Sequence, residues 1–379
     1  MCRPILVSIL AVVAISSATA VRAVASASAP EPIQTLGIGA AAPDFALPGV
    51  DGRTHKLSEY SRAKVLVIVF TCNHCPTAQA YEARIAKLAA DYRNQGVALV
   101  AISPNDPLAV RLDELGYTDV SDSFEDMKIR AKDRGFKFHY LYDGDKQEVS
   151  KAYGPVATPH VFVFDADRKL RYVGRVDDNE RDPNAVKSHD ARNAVEALLA
   201  GKPVPVETTR PAGCSIKWSD KRASVREAFE KWAQEDVAWS TIRLEAAKTL
   251  LQNDTNKLRL INLWSVGCPP CVHEFPSLVE INRMYRGRDF EMVSINLDGL
   301  EGRGKTHQFL TDKQASFTNY VYVGDGRALI SAVDPKWTGA IPYTLVIKPG
   351  GEVLHTRLGM IDPLAMKKVI VGHLGRTYK

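Results

Sequence analysis

Two short cysteine pairs, each placed directly after an apolar run, constrain this chain more than any other feature. The first pair, Cys72 and Cys75, follows the run 65–70, and the second pair, Cys268 and Cys271, follows a similar run. A continuous apolar run of this length is typical of a buried strand in a parallel sheet. Each pair therefore lies where a strand ends and a helix begins, and the helix N-terminus favours a thiolate on an exposed first cysteine. The pattern predicts a redox pair, and its repetition predicts two copies of one fold.

The order of predicted elements is the same in both halves, namely βαβαβ followed by a β-hairpin and a helix. This agreement indicates an internal duplication. We predict the α/β class, with a first domain over residues 31–200 and a second over residues 223–379. Prolines and a glycine predict a linker over residues 201–222, although its stretch 214–218 is hydrophobic enough to pack on a domain. Residues 224–251 read as helical.

The first 20 residues have the pattern of a secretion signal. Arg3 supplies the positive charge, residues 5–15 supply a short apolar core, and Ala18-Thr19-Ala20 is a plausible cleavage site. The core is too short to span a bilayer comfortably, and so is every later stretch. We therefore expect an exported protein, most simply periplasmic, with no stable membrane insertion after cleavage; an uncleaved anchor is the alternative.

Composition excludes several classes of function. Hydrophobic residues make up 45% of the chain and charged residues 25%, which is ordinary for a soluble globular protein. The formal net charge of +5 is small for 379 residues, and the two signs are interspersed, so we expect no nucleic-acid partner. Of the six cysteines, Cys2 would leave with the signal. The remaining five are too few for a disulfide-stapled scaffold.

The residues around both pairs resemble the thioredoxin superfamily. The second unit is similar to the TlpA/ResA-like periplasmic thiol-disulfide oxidoreductases in Trp264, Cys268-Pro269-Pro270-Cys271, Glu274, Pro276 and Ile341-Pro342. The first unit resembles the AhpC/TSA and redoxin branch in Ala42-Pro43-Asp44-Phe45, Phe70-Thr71, Cys75-Pro76-Thr77 and Thr158-Pro159. The resemblance implies two tandem thioredoxin-like domains, each with a central mixed β-sheet flanked by helices, and thiol chemistry.

In the second unit we expect Cys268 to attack and Cys271 to resolve the mixed disulfide, because Cys268 is nearer the helix start. Glu274 has two interpretations, a carboxylate that reaches the thiol pair or an exposed acid favoured by the helix dipole. The resemblance gives such a glutamate a role in thiol ionisation and proton relay. It also matches Ile341-Pro342 to a cis-proline loop that faces the cysteines and accepts the substrate backbone.

In the first unit Cys72 and Cys75 are expected to play the same two roles. A protonated His74 would stabilise a neighbouring thiolate and make the disulfide more oxidising, unless it is merely an exposed loop histidine. Thr158-Pro159 matches the cis-proline dipeptide by resemblance. The first site is therefore predicted to be the more oxidising, so that electrons pass from the second domain to the first.

A thiol peroxidase is an alternative for the first unit, with the second unit as its fused reductant. In that family a Thr or Ser lies three residues before the peroxidatic cysteine, and here that position holds Cys72 if Cys75 is peroxidatic. The proline expected earlier in the motif is also absent from the run 66–70, and Thr158-Pro159 is a thioredoxin feature. These departures favour disulfide exchange.

The remaining alternatives are binding modules. A zinc site shared by the two pairs is disfavoured because they lie far apart in the sequence. One pair could hold copper(I), although no Met- or His-rich stretch supports it. One unit could also be a docking module for a partner protein. Cys214 is either an inert thiol held by Ile216 and Trp218 or a partner in a relay between the domains.

The function predicted overall is exported thiol-disulfide oxidoreduction. The expected partners are protein thiols or disulfides as substrates and an upstream thiol reductant. We expect no organic cofactor and no metal, because the cysteines themselves carry the electrons.

Overall fold

The structure, a computed structural model, describes Met1 and residues 33–378. Apart from Met1, the predicted signal segment 1–20, with Cys2, lies outside these residues, so its prediction stays untested. Among the helices of the described residues, none combines the length and the apolar character that a membrane span requires.

The first α/β unit follows the predicted element order. Its strands are β1 (Ala46–Pro48), β2 (Thr54–Lys56), β3 (Val65–Phe70), β4 (Val97–Ser103), β5 (His139–Tyr142), β6 (Ala157–Thr158), β7 (His160–Phe164) and β8 (Leu170–Gly174). Its helices are α1 (Pro76–Tyr92), α2 (Phe124–Arg134), α3 (Glu148–Tyr153) and α4 (Asp190–Leu199). The strand predicted from the run 65–70 is confirmed to the residue.

Strand β3 lies at the centre of the first sheet, whose order is β5-β4-β3-β7-β8 among the described residues. β3, β4 and β5 run parallel, and β7 is antiparallel to both β3 and β8. Every residue of β3 is buried, because its side chains alternate between two apolar layers. Val67 packs in the layer with α1 and α4, and Ile68 packs in the opposite layer. A buried central strand fixes the loop that carries Cys72 and Cys75.

A short strand, β9 (Cys214–Ser215), follows within the predicted linker. It pairs antiparallel with β6, and the neighbouring Ile216 is 1% exposed. The expectation that this hydrophobic stretch packs on a domain is confirmed. The limits of the two predicted domains stay predictions.

The second α/β unit repeats the first. Its strands are β10 (Ser240–Ile242), β11 (Leu258–Trp264), β12 (Phe290–Asn296), β13 (Thr318–Tyr322), β14 (Tyr343–Ile347) and β15 (Val353–Leu358). Its helices are α5 (Arg222–Ala233), α6 (Leu244–Gln252), α7 (Pro269–Tyr285), α8 (Arg303–Asp312), α9 (Gly326–Val333) and α10 (Pro363–Leu374).

The second sheet has the order β10-β13-β12-β11-β14-β15 among the described residues. β11 is parallel to β12 and antiparallel to β14, as β3 is to β4 and β7. The duplication is therefore confirmed in the topology. The helix predicted over residues 224–251 is wrong in its middle, because β10 separates α5 from α6 and pairs parallel with β13.

The two units pack against each other through the C-terminal half of α7. Val110 and Leu115 of the first unit join the apolar cluster that contains the buried side chains of α7. The hydroxyl of Tyr285 donates a 2.7 Å hydrogen bond to the carbonyl oxygen of Thr118. Arg376, after α10, binds both carboxylate oxygens of Asp119 at 2.5 and 2.9 Å. Helix α7, which begins beside Cys268, is thus held by both units.

Candidate active sites

Cys75 and Cys268 occupy the same structural position, at the N-terminus of the helix that follows the central strand. Cys75 is the N-cap of α1, and its Sγ accepts a hydrogen bond from the amide of Ala78 at 3.5 Å. Cys268 is the N-cap of α7, and its Sγ accepts from the amide of Cys271 at 3.3 Å. In both helices the first residue is proline, which lacks the amide that would otherwise need a partner. Both sulfur atoms therefore lie at the positive end of a helix.

This geometry corrects the prediction that Cys72 takes the place of Cys268. Cys72 lies in the loop before the N-cap Cys75. The predicted exposure of the first thiol is also wrong in this unit, because Cys72 is 3% and Cys75 0% exposed. Cys214 of β9 packs on the pair. In the second unit Cys268 is half-buried and Cys271 is buried, which agrees with the predicted order.

A buried ion pair lies beside the first cysteine pair. Nδ1 of His74 is 2.5 Å from Oδ2 of Asp122, and their side chains are 2% and 0% exposed. Asp122 also accepts hydrogen bonds from the backbone amides of Asn73 and His74, at 2.9 and 3.0 Å, and from the side-chain amide of Asn105 at 2.7 Å. Four donors thus converge on one carboxylate. The interpretation of His74 as an exposed loop histidine is wrong.

The ion pair sets the charge of His74. Burial alone would lower the pKa of His74, but the charge and the hydrogen bond of Asp122 outweigh burial and raise it. Burial would raise the pKa of Asp122, and His74 together with Asn105 lowers it. Both shifts favour an imidazolium paired with a carboxylate. Nδ1 of His74 lies 3.7 Å from Sγ of Cys72, so the charge is next to the thiols.

The two thiols of the first pair are shifted in opposite directions. Burial raises the pKa of Cys72, and its hydrogen bond to Cys75 and the charge of Asp122 raise it further. Burial also acts to raise the pKa of Cys75, but hydrogen bonds from Cys214 and Cys72 and the charge of His74 bring it well below its usual value. Both shifts favour a thiolate on Cys75 and a protonated thiol on Cys72.

The loop before β7 closes the first site from the opposite side. The Thr158-Pro159 peptide bond is cis, as the resemblance implies. The carbonyl oxygen of Thr158 lies 3.3 Å from Sγ of Cys75, and its hydroxyl oxygen lies 3.2 Å from Sγ of Cys72. Thr158 thus contacts both sulfur atoms and is itself fully buried.

The second site has the same plan with a more open surface. Cys268 and Cys271 form a disulfide with 2.21 Å between the Sγ atoms. The Ile341-Pro342 peptide bond is cis, and the carbonyl oxygen of Ile341 lies 3.7 Å from Sγ of Cys268. The cis-proline loops therefore hold the same place beside the N-cap sulfur in both units.

Glu274 of the second unit is buried, at 4% exposure, so the interpretation as an exposed acid is wrong. One carboxylate oxygen accepts from the side-chain amide of Asn262 at 2.9 Å, and the other accepts from the backbone amide of Ile361 at 2.8 Å. Burial raises the pKa of Glu274, against these two hydrogen bonds, which lower it. Its part in thiol ionisation stays a prediction.

Sequence reasoning missed Asp122, the strongest partner of His74. Asp122 lies two residues before α2, which begins at Phe124, and its side chain is fully buried. Its contact with His74 joins residues 48 positions apart, and no local pattern indicates it. The shifted role of Cys75, by contrast, had a signal. Pro76 favours the first position of a helix, which places the N-cap on Cys75.

Two groups of side chains among the described residues could hold a metal ion. Cys72, His74 and Asp122 form one buried group, and Asp51, His55 and His139 form another. In each group the donor atoms lie within 4.8 Å of one another. In the first group the His74 nitrogen is already paired with Asp122, so a metal ion would have to displace that ion pair.

The fold and the two capped cysteine sites define a tandem thioredoxin-like protein of the thiol-redox class. The AhpC/TSA family matches twice, over residues 38–173 and 225–356, and the chain belongs to this family. Both matches begin before a central strand and include its cysteine pair.

Among curated proteins, the chain is similar to thiol-disulfide oxidoreductases. It is 26% identical to "Thiol-disulfide oxidoreductase ResA" of Geobacillus thermodenitrificans over 36% of this chain and 69% of that protein. It is also 26% identical to the protein of the same name from Bacillus subtilis, over 26% of this chain and 51% of that protein. The chain thus spans between half and about two-thirds of the length of these relatives.

Among solved structures, a hypothetical protein from Sinorhizobium meliloti 1021 is 37% identical, with a TM-score of 0.44. The match covers 49% of this chain and 97% of that protein.

Proposed function

We propose that this protein is an exported thiol-disulfide oxidoreductase with two redox-active cysteine pairs. One observation carries the proposal. In each unit a cysteine caps the helix after the central strand, with a second cysteine three positions away in the sequence and a cis X-Pro carbonyl oxygen 3.3 or 3.7 Å from the capping sulfur. A helix N-cap lowers the pKa of a thiol, and the thiolate is the nucleophile in disulfide exchange.

At the second site the reduced Cys268 attacks one sulfur of a substrate disulfide, and the other substrate sulfur leaves as a thiolate. Cys271 then attacks the mixed disulfide, which releases the substrate as a dithiol and leaves the Cys268–Cys271 disulfide. Two electrons pass to the substrate, and an upstream thiol reductant restores the pair. The half-buried Cys268 and the buried Cys271 support this division of roles.

At the first site the charge distribution favours Cys75 as the attacking thiolate and Cys72 as the resolving thiol, the reverse of the order expected from the sequence. His74 stabilises the thiolate form, and a stabilised thiolate makes a disulfide easier to reduce. We therefore keep the proposal that the first site is the more oxidising and accepts electrons from the second.

The experiment is insulin-disulfide reduction by the purified mature protein with dithiothreitol as the electron donor, with hydrogen peroxide consumption measured in parallel. We expect insulin turnover, negligible peroxide use, and loss of turnover in Cys268→Ser. Cys271→Ser is the matched variant, which should accumulate the mixed disulfide instead. Fast peroxide consumption that depends on Cys75 would contradict disulfide exchange at the first site and identify a peroxidase. If turnover is lost in Cys268→Ser but unchanged in both Cys72→Ser and Cys75→Ser, the result would support a docking module as the alternative for the first unit.

Export is part of the same proposal and rests on the signal pattern of residues 1–20. An exported location suits protein thiols and disulfides as substrates, because disulfides persist in oxidising compartments. Intact-mass measurement of the protein from the periplasmic fraction should give a chain that begins near residue 21. A full-length chain found only in the cytoplasm would contradict export.

A further inference from the structure

Strand β9 covers the first site as an added strand. Thr158 pairs antiparallel with Cys214, and Ala157 pairs with Ser215. The approach is close, because a Cβ added at Gly213 would lie 1.9 Å from the carbonyl oxygen of Thr158. Gly213 has a φ of +154°, which an L side chain would rarely adopt. The backbone of Gly213 and β9 thus packs directly against the cis-proline loop.

This pairing brings a third sulfur to the buried pair. The backbone amide of Cys214 donates a hydrogen bond to Sγ of Cys75 at 3.3 Å. The side chain of Cys214 also packs on Cys72, Cys75 and Ala78. The side chain of Cys214 thus packs on the cysteine pair, which favours the interpretation as a relay partner; its inertness as a thiol held by Ile216 and Trp218 stays untested.

Cys214 is also the most accessible of the three thiols. Cys72 and Cys75 are buried, whereas Cys214 is half-buried. It lines a cavity of about 280 Å³ together with Pro76, Thr77 and Tyr378. A small thiol or disulfide that enters this cavity meets Cys214 before it meets Cys75.

We propose that Cys214 is a third redox-active cysteine, which forms a disulfide with Cys75 and links the buried pair to the cavity. The proposal rests on the proposed function, because it requires Cys72 and Cys75 to be a redox pair. It goes further in giving the first site an exit that the cysteine motif does not indicate.

The step is an internal exchange without net oxidation. The Cys214 thiolate attacks Sγ of Cys75 in the Cys72–Cys75 disulfide. The Cys75–Cys214 bond forms, the Cys72–Cys75 bond breaks, and Cys72 leaves as a thiolate and takes a proton. In the reduced site the pKa of Cys214 is raised, first by its hydrogen bond to Cys75 and then by burial. The hydrogen bond to Cys75 raises the pKa of Cys214 only while Cys75 is a thiolate, so this effect is absent once Cys75 is in a disulfide.

Cys75, rather than Cys72, is the partner that the geometry assigns to Cys214. The 3.3 Å hydrogen bond joins the amide of Cys214 to Cys75. Sγ of Cys72 instead lies beside the hydroxyl of Thr158 and the ring of His74. Variants that remove one sulfur at a time can therefore separate the two pairings.

The test uses the full mature protein with Cys72→Ser, oxidised with glutathione disulfide and quenched with N-ethylmaleimide. Tryptic peptides 65–84 and 193–217 hold Cys75 and Cys214, so a Cys75–Cys214 disulfide appears as one cross-linked mass. We expect this mass in most oxidised Cys72→Ser molecules and only background in Cys72→Ser/Cys214→Ser. In the matched variant Cys75→Ser, which keeps Cys72 and Cys214, we expect at least about tenfold less cross-link.

The Cys268–Cys271 disulfide in the same samples reports that the protein is folded and the oxidant active. If it forms while Cys75 and Cys214 of Cys72→Ser stay free or carry separate glutathiones, the proposal is wrong. Equal cross-linking in Cys72→Ser and Cys75→Ser would also overturn it. Failure of the wild type to form any disulfide at Cys72 or Cys75 would instead contradict the proposed function of the first site.

Discussion

Cys75 and Cys268 stand at the same point of the same fold, yet the surroundings of the two sulfur atoms differ. Cys75 is fully buried beneath β9 and lies beside an ion pair formed by His74 and Asp122. Cys268 is half-buried, and the carboxylate of the second unit, Glu274, has a pKa raised by burial instead of an ionic partner. The backbone places the sulfur atom, and its charge environment and access depend on His74 inside the motif together with Asp122 and β9 outside it.

The largest effect should follow from removing the charge of Asp122. Asp122→Asn leaves the imidazolium of His74 buried without its partner, which costs about 3–5 kcal/mol of unfolding free energy. Urea denaturation at pH 6 measures the loss. Asp113→Asn is the matched control, because the Arg111–Asp113 pair is exposed and should contribute less than about 1 kcal/mol. Equal losses in the two variants would contradict a charged pair at the first site.

The stability lost in Asp122→Asn should depend on pH, because both members of the ion pair are ionisable. The lowered pKa of Asp122 stabilises the fold at pH values above 3.8, the ordinary pKa of an aspartate. This contribution disappears as pH falls through the pKa of Asp122 in the folded protein. The raised pKa of His74 stabilises the fold at pH values below 6.5, the ordinary pKa of a histidine. This contribution disappears as pH rises through the pKa of His74 in the folded protein. The difference between wild type and Asp122→Asn should therefore be largest between pH 3.8 and 6.5. A difference that does not vary with pH would show that the pair is not ionised.

The next largest difference should be in how fast an added reagent reaches the N-cap thiols of the two sites. In the reduced, folded protein we expect iodoacetamide to modify Cys268 roughly a hundredfold faster than Cys75, because Cys75 reacts only after a local opening of β9. Mass spectrometry of time-quenched samples gives both rates from one reaction. In denaturant the rates should come within a few-fold of each other, which serves as the control. Comparable rates in the folded protein would mean that β9 does not close the first site.

Glu274→Gln should have a smaller effect with a distinct pH dependence. The two carboxylate oxygens of Glu274 accept hydrogen bonds from Asn262 and Ile361. In Glu274→Gln an amide donor replaces one of these acceptors, which lowers the free energy of unfolding by about 1–3 kcal/mol. The raised pKa of Glu274 means that the folded protein binds the extra proton, so wild type loses stability as pH rises above 4.5.

The glutamine variant lacks this loss, so its deficit relative to wild type should shrink as pH rises from 4.5. Urea denaturation at several pH values measures the deficit. A deficit that grows with pH would indicate that Glu274 is stabilised as a carboxylate, like Asp122. Both sites would then hold a carboxylate in its ionised form.

The sequence predicts the fold better than it predicts the sites. The run 65–70 marks a strand to the residue, because a continuous apolar run is a local signal. Strand β10 was missed because three residues at a sheet edge owe their conformation to pairing with β13. At the sites, the four motif cysteines and both cis-proline dipeptides could be located from motifs. Asp122 and the contact of Cys214 with Cys75 could not, since both depend on tertiary packing across long sequence separations.

The redox potentials of the two pairs, measured in one sample, decide whether the first site is the more oxidising. The mature protein is equilibrated with glutathione and dithiothreitol buffers, and the dithiol fraction of each pair is read by mass spectrometry. We predict a less negative potential for Cys72 and Cys75 than for Cys268 and Cys271, because His74 stabilises the thiolate of Cys75. Equal potentials, or a less negative potential at the second site, would contradict it.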